Sequence, residues 1–333
     1  MDAAAFCRQS SVVLVAGKGG VGKTTIAAAL ALTARRQGMD VLVVELEGRS
    51  GAAALLGHPG ALAYEEVTVL PGSGSAGEIR ARALAPDEVL VEYLENRGLG
   101  KVSRRLAGSG ALDVVATAVP GLRDVLVLGK VKQLEGARLA DLIVLDAPAA
   151  GHTLTFLTSA AGLADFARSG PVRSQAADVL EMLHDPARCQ VLLVTLAEET
   201  PVNETTEAAY ALEDRAGVAL GPVVVNALYP TLPGRDGERA PSLEAYLAGP
   251  GGGALGAGER EALLAADRFR RMRAELQRRQ RERLAASLPL HQLPLPYLFG
   301  ATAGEAALVP LAEALEEGLA KLPAPPPAPG RAS

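Results

Sequence analysis

Nine consecutive residues restrict this chain more than any other feature: Gly17-Lys18-Gly19-Gly20-Val21-Gly22-Lys23-Thr24-Thr25. They follow a short apolar run, Val12–Ala16, and open a stretch, Lys23–Arg36, whose aliphatic residues have helical spacing. The pattern is G-x-x-x-x-G-K-[ST], in which glycines let backbone N–H groups curl around phosphate oxygens at a helix N-terminus. In that arrangement Lys23 reaches the terminal phosphates and the Thr24 hydroxyl ligates Mg²⁺. Gly17, Gly19 and Gly22 also satisfy G-x-G-x-x-G, and acidic residues follow the second apolar run. A dinucleotide fold, however, has no use for Lys-Thr-Thr after the last glycine, whereas a phosphate loop requires it. All nine residues are therefore expected to bind a nucleotide triphosphate.

The remainder of the chain supplies a matching frame. Short β-branched runs alternate with longer amphipathic stretches, which points to an α/β fold with a doubly wound, mostly parallel sheet. The expected core strands are Val12–Ala16, Val41–Leu46, Leu142–Asp146, Val191–Leu196, Pro222–Asn226 and His291–Leu293. Helices are expected over Lys23–Arg36, Pro201–Arg215, Arg260–Ala286 and Gly304–Lys321. Glu66–Leu70 and Glu78–Leu84 bracket Pro-Gly-Ser-Gly-Ser and read as an antiparallel hairpin or edge pair. Ala118–Val131 fits either a strand or a helix opened by Pro120-Gly121. One domain over residues 1–322 is expected, with a helical subdomain around 85–140 and 154–188. Pro230–Gly258 reads as a loop within it, and 323–333 as a disordered, proline-rich tail.

Composition removes several classes of function. The chain has 333 residues and a formal charge of −5, which argues against a dedicated nucleic-acid binder. Aromatics make up 3% and Trp is absent, leaving little for base-stacking surfaces. No apolar run approaches a membrane span and no basic-then-apolar leader precedes Val12, so a cytoplasmic protein is expected. Cys7 and Cys189 lie far apart without Cys-x-x-Cys spacing, so neither a disulfide framework nor a zinc knuckle is readable.

Lys18, directly after the first glycine, gives the deviant loop K-G-G-x-G-K-T, and with it the chain resembles the SIMIBI class of P-loop NTPases. The resemblance implies that Lys18 reaches across a dimer interface to the partner subunit's nucleotide. Further segments narrow it. Asp146-Ala147-Pro148-Ala149-Ala150-Gly151-His152-Thr153-Leu154 resembles the D-x-A-P-x-G-H-T-L switch of the ArsA arsenite-pump ATPases and of the ATPase that guides tail-anchored membrane proteins. Val194–Val202 is similar to V-T-L-x-E-x-T-P-V, Val223–Asn226 to V-V-N, and Leu293–Tyr297 to a P-L-x-P loop. The resemblance implies that Asn226 reads the adenine edge and that Pro294 and Pro296 cover the other side of the base. A planar amide with donor and acceptor also suits that edge on its own chemistry.

Two strand-end acids complete the expected site. Asp146 is placed to hold Mg²⁺ through its water shell. Glu47, in Glu45-Leu46-Glu47, occupies the position where the class usually has Asp, and is expected to orient the attacking water, with Glu45 in support. The expected catalytic set is thus Lys18, Lys23, Glu47 and Asp146, with ATP and Mg²⁺ as cofactors.

Departures from the better-known relatives bear on the cargo. Two scattered cysteines are too few for a three-thiolate arsenite site. The zinc-binding Cys-x-x-Cys and Met-rich groove of the targeting ATPase are absent, with only four Met in the chain. Apolar residues over Leu154–Leu183 (Leu157, Leu163, Phe166, Val179, Leu180, Leu183) are read as core rather than as a client groove. The eight Arg over Asp267–Leu284 are read as a solvated helix face, although such helices can touch anionic membranes. The proline-rich tail gives no amphipathic helix of the kind a MinD-like positioning ATPase needs. The expectation is an ATP-driven open–closed switch, a homodimer or a heterodimer with a paralogue, acting on a protein client; an ATP-binding scaffold subunit with little hydrolysis is the alternative.

Overall fold

The structure is a computed structural model that describes residues 2–46, 51–96, 98, 121–166, 169–230, 243–249, 255–300 and 304–323. Its frame is a sheet built from β1 (Val12–Gly17), β2 (Val41–Leu46), β3 (Val67–Leu70), β4 (Ile79–Leu84), β5 (Leu142–Ala149), β6 (Cys189–Leu196), β7 (Ala219–Leu220), β8 (Val223–Leu228) and β9 (Gln292–Pro296). The order is β3-β4-β2-β5-β1-β6-β8-β9, with β7 beside β6. Every pairing is parallel except β3 with β4.

Alternation along the strands sorts the core into two layers. Val12, Leu14 and Ala16 face one side of β1, and Val13 and Val15 face the other. The first side is covered by α4 (Pro86–Asn96), α5 (Leu122–Ala137), α6 (Ala150–Phe166), α7 (Pro171–His184) and α8 (Glu199–Ala211), whose last turn continues as a π-helical Leu212–Ala216. The second is covered by α1 (Ala3–Cys7), α2 (Lys23–Arg36), α3 (Ala52–Leu55) and α11 (Glu305–Ala320). α2 is buried almost all round, from Ile26 to Ala34, because α11 lies over the face that the sheet leaves free. Each fully buried Val, Leu or Ile contributes about 1.5–3 kcal/mol, and two such layers make the central strands the most stable part of the fold. α9 (Leu243–Ala248) and the long α10 (Ala257–Ser287) complete the elements.

The sheet differs from the expected one in instructive places. β3 and β4 do form the antiparallel pair, but β4 also pairs in parallel with β2, so of the two it is β3 that lies at an edge of the sheet among the described residues. β5 runs on to Ala149, which puts Asp146 inside the strand and starts α6 at Ala150. Ala118–Val131 resolves as helix from Leu122 onward, because Val127, Val131 and Leu134 recur on one buried face. Pro294 and Pro296 lie in a strand rather than a loop; β9 is the sheet edge, where proline's missing N–H costs no ladder bond. Leu157, Leu163, Val179 and Leu183 are buried in the first layer, as the core reading requires. α4 to α7 fall within the segments 85–140 and 154–188 or overlap them, and pack on the sheet in the first layer, while residues 99–120, most of Pro230–Gly258 and 324–333 lie outside the described residues. Among the described residues no helix is long and apolar enough to cross a membrane.

Candidate nucleotide site

β1 is central, and the chain leaves it for β2 on one side and later returns as β6 on the other. That makes its carboxyl end a topological switch point, where open α/β sheets bind ligands. The phosphate-loop residues occupy this point. At Gly17 (φ +156°) a Cβ would lie 2.3 Å from the Val194 carbonyl oxygen, so only glycine lets the loop leave β1 against β6. Gly22 (φ +93°) sits at the N-cap of α2 with no side-chain cap. The N–H groups of Lys23, Thr24 and Thr25 are therefore not claimed by a capping side chain, and the helix dipole adds positive potential there.

Two strand-end acids meet this loop. Asp146 Oδ2 accepts from the Thr24 hydroxyl at 2.6 Å, which joins the loop to the carboxylate expected beside it. Asp146 is 6% exposed. Glu45, its register partner on β2, is also buried and accepts from the N–H groups of Gly51 at 3.1 Å and Ala53 at 2.8 Å. Burial pushes the Glu45 carboxyl above the usual carboxylate range; those N–H donors pull it back, and the Asp146 charge beside it raises it again. Glu45 thus anchors the chain that returns after residues 47–50. Glu47 itself lies outside the described residues.

The two loop lysines are both engaged. Lys23 is buried and donates to the Lys18 carbonyl at 3.0 Å, and Lys18 forms an ion pair with Glu204 of α8 in the same chain. On the far side, Asn226 Nδ2 donates to the Val21 carbonyl at 2.9 Å, while its Oδ1 accepts from the Ala227 N–H at 2.8 Å. A Cβ on Gly22 would lie 2.4 Å from Asn226 Nδ2, so the amide lies directly against the loop. Ala227 has a left-handed backbone (φ +57°) where the β8–β9 register slips. The bulge frees two backbone groups, and the buried Gln277 of α10 takes both: its Nε2 donates to the Ala227 carbonyl at 3.0 Å and its Oε1 accepts from the Tyr229 N–H at 2.8 Å. Pro294 is exposed and Pro296 half-buried on β9, two residues apart, on the same side of the edge strand.

On the first-layer side of the strand ends lies a cavity of ≈ 350 Å³ lined by Leu46, Pro86, Asp124, Asp146, His152 and Phe156. His152 is exposed at the start of α6, and Thr153 Oγ1 ties the turn by donating to the Pro148 carbonyl at 2.6 Å. Burial raises the Asp124 carboxyl and His152 lowers it. Cys7 and Cys189 lie apart, one in each core layer, with burial pushing the Cys7 thiol up to about 12 and the Cys189 thiol upward as well. Among the described residues, no group of three or more His, Cys, Asp or Glu could hold a metal.

Sequence reasoning therefore placed the loop, Asp146 and Asn226 in one site. It missed Glu204, which lies two residues beyond the Val194–Val202 segment and fell only within the expected helix Pro201–Arg215, and Gln277, which carries no local signal within an Arg-rich helix. Glu45 had a signal, an apolar strand ending in acid, but its role as a backbone anchor depends on where the chain turns back.

Residues 10–168 match the model of the anion-transporting ATPase family. The ATPase BagA of Mycobacterium tuberculosis is 41% identical over 222 residues, 64% of this chain and 64% of that protein. Arsenical pump-driving ATPases of Escherichia coli and Acidiphilium multivorum are 28% and 27% identical over 217 residues, 63% of this chain and 33% of each of theirs. The chain thus spans under two thirds of the length of these relatives.

Proposed function

We propose that the chain is an ArsA-like ATPase, on its match to the anion-transporting ATPase family over residues 10–168 and its likeness to ATPase BagA, and that it binds ATP at the β1–α2 loop and hydrolyses it as a nucleotide-sandwich dimer. The switch so driven loads or releases a protein client. The observation that carries the reading is the 2.6 Å hydrogen bond from Thr24 to Asp146. It brings a hydroxyl and a carboxylate, one from a phosphate loop and one from the neighbouring strand, to the place where ATP chemistry needs hard oxygen ligands.

That donor set fits Mg²⁺, which prefers oxygen and keeps several waters. When bound, the ion would be held by Thr24 directly and by Asp146 through water, and would offset charge on the phosphates. The chain's own groups do the rest. Backbone N–H groups of residues 19–25 bind the phosphate oxygens, and Lys23 exchanges the Lys18 carbonyl for the terminal phosphates. Glu47 orients a water in line with the terminal phosphoryl group; water adds as ADP leaves, and the proton passes to the carboxylate or to phosphate. Asn226 spends one amide hydrogen on Val21 and one lone pair on Ala227, leaving a donor and an acceptor for the adenine edge. Lys18 leaves Glu204 to meet the partner subunit's nucleotide, so closure trades an ion pair within one chain for contacts between two.

Single-turnover hydrolysis with and without Mg²⁺, on the wild type and Glu47→Ala, tests the reading. The expected result is Mg²⁺-dependent product formation that falls by about 10²-fold in the variant. Equal and negligible rates in both, despite tight ATP binding, would replace the enzyme with an ATP-binding scaffold subunit. Co-purification with a Glu47→Gln trap in ATP would then identify the client.

A further inference from the structure

Four of the chain's aromatic side chains are gathered at one place to which the proposed ATP chemistry gives no role. The protein has only six Tyr and five Phe. Four of these eleven form one cluster at the β8–β9 edge: Tyr229 stacks on Tyr297 with centroids 5.6 Å apart and meets Phe269 and Phe299 edge-on at 6.2 and 5.8 Å. Phe299 and Met272 are the most exposed large apolar residues described, at 65% and 63%. Phe269, Met272 and Leu276 recur at helical spacing and make one outward stripe on α10, continuous with the cluster through the Tyr229–Phe269 contact.

The stripe lies on the most basic element of an acidic chain. α10 carries nine Arg against five Asp and Glu, a local charge of 9 − 5 = +4. The whole chain is −5, so the remainder is −5 − 4 = −9. Arg271, Arg278 and Arg279 have side chains 41%, 57% and 70% exposed, and their partners Asp267, Glu275 and Glu282 are on the same helix. Exposed pairs such as those of Arg278 and Arg279 with Glu275 and Glu282 are worth at most about 1 kcal/mol, so these guanidinium groups can exchange a helix carboxylate for another oxyanion.

We infer that the outer face of α10, with Tyr297 and Phe299, is a docking surface for an anionic lipid bilayer. Large apolar side chains enter the boundary between headgroups and acyl chains; Arg279 flanks the stripe, and Arg271 and Arg278, farther round the exposed arc of the helix on that side, reach for lipid phosphates. A bare apolar face would fit any greasy partner and a bare basic face any acid. Only the combination, confined to one helix of an otherwise acidic molecule, selects a surface that is apolar beneath and negative on top. Peripheral docking needs no spanning segment, and it would leave the nucleotide loop free to cycle.

Flotation of the full chain with vesicles tests this, comparing phosphatidylcholine alone with a mixture containing phosphatidylglycerol. The protein is expected to float with the anionic vesicles, at least about tenfold more than with the neutral ones, and to be released by high salt. The surface variant Phe269→Ser/Met272→Ser/Phe299→Ser is expected to lose about tenfold in flotation while binding ATP and self-associating as before. Arg271→Ala/Arg278→Ala/Arg279→Ala should lose the preference for anionic vesicles. No flotation of the wild type with anionic vesicles overturns the inference, as does wild-type flotation of the serine variant. Loss of self-association in the serine variant, with no wild-type flotation, would assign the face to a second copy of the chain and overturn it equally.

Discussion

At the carboxyl ends of β1, β2 and β5, polar and charged side chains are turned inward onto the chain: Lys23 onto a loop carbonyl, Thr24 onto Asp146, and Glu45 onto two backbone N–H groups. At the same end of the sheet, along β8, β9 and α10, large apolar side chains and arginines are turned outward. The first region is held ready by bonds a ligand must replace, so its chemistry should be sensitive to single atoms. The second is made of groups whose native partners are weak or lacking an apolar neighbour on one side, and its changes should leave chemistry alone. Gln277 joins the two, because it reaches from α10 to the bulge that carries Asn226.

The largest effect should fall on the loop. Lys23→Ala removes the cation proposed to meet the terminal phosphates and is expected to lower kcat/KM for ATP by about 10²–10³-fold, in the range of a lost charge-stabilising donor. Steady-state phosphate release measures it. The serine variant of the α10 face should change the same rate by less than about twofold, as expected of surface substitutions away from such groups. A comparable loss in both would erase the distinction between the two regions.

How much of this was written in the sequence follows the same division. The loop was legible because its glycines are compelled by backbone geometry: Gly17 and Gly22 stand where a Cβ would strike Val194 or Asn226. The central strands were legible because burial on both faces leaves unbroken apolar runs such as Val12–Ala16. β4 was harder to place, since Ile79–Leu84 alternates like an edge strand while its N–H and C=O groups serve both β2 and β3. Prolines at 294 and 296 have the pattern of a loop because nothing in the local sequence marks β9 as terminal in the sheet, as it is among the described residues. The aromatic cluster was invisible, as Tyr229, Phe269 and Tyr297 are brought together only by the fold.

The joint between the regions predicts an intermediate effect. Gln277→Leu leaves the Ala227 carbonyl and the Tyr229 N–H without their side-chain partners, a cost of about 1–3 kcal/mol for each group that stays dry. If the bulge then relaxes, Asn226 loses its setting against Val21 while Lys23, Thr24 and Asp146 keep theirs. The expected kinetic signature is a KM for ATP raised about tenfold with kcat changed less than twofold, the mark of lost uniform binding. The preference for ATP over GTP should narrow in step. A role limited to packing would lower stability without changing that preference, and Gln277→Glu, which keeps the acceptor for Tyr229, should restore part of it.

The smallest effect concerns Glu45 and appears as a slope. Its carboxyl is raised in the folded chain, first by burial, so above the ordinary value of 4.5 the folded state holds this proton more tightly than the unfolded state does. Where the folded form binds more protons, stability falls as pH rises. The contribution is therefore fully present below 4.5 and is lost as pH climbs through the raised folded value. Other carboxyls pull the opposite way; Glu92, lowered chiefly by its hydrogen bonds to Lys130 and Tyr64 against burial, is one. The informative quantity is accordingly the difference between wild type and Glu45→Gln. The glutamine loses one acceptor for Gly51 or Ala53, which offsets stability by a constant, but it cannot titrate. Urea unfolding between pH 4 and pH 7 should show the wild type losing stability relative to the variant as pH rises. A flat difference would mean that the donors from Gly51 and Ala53, rather than burial, set the state of Glu45, and that this corner of the site carries its negative charge at no cost.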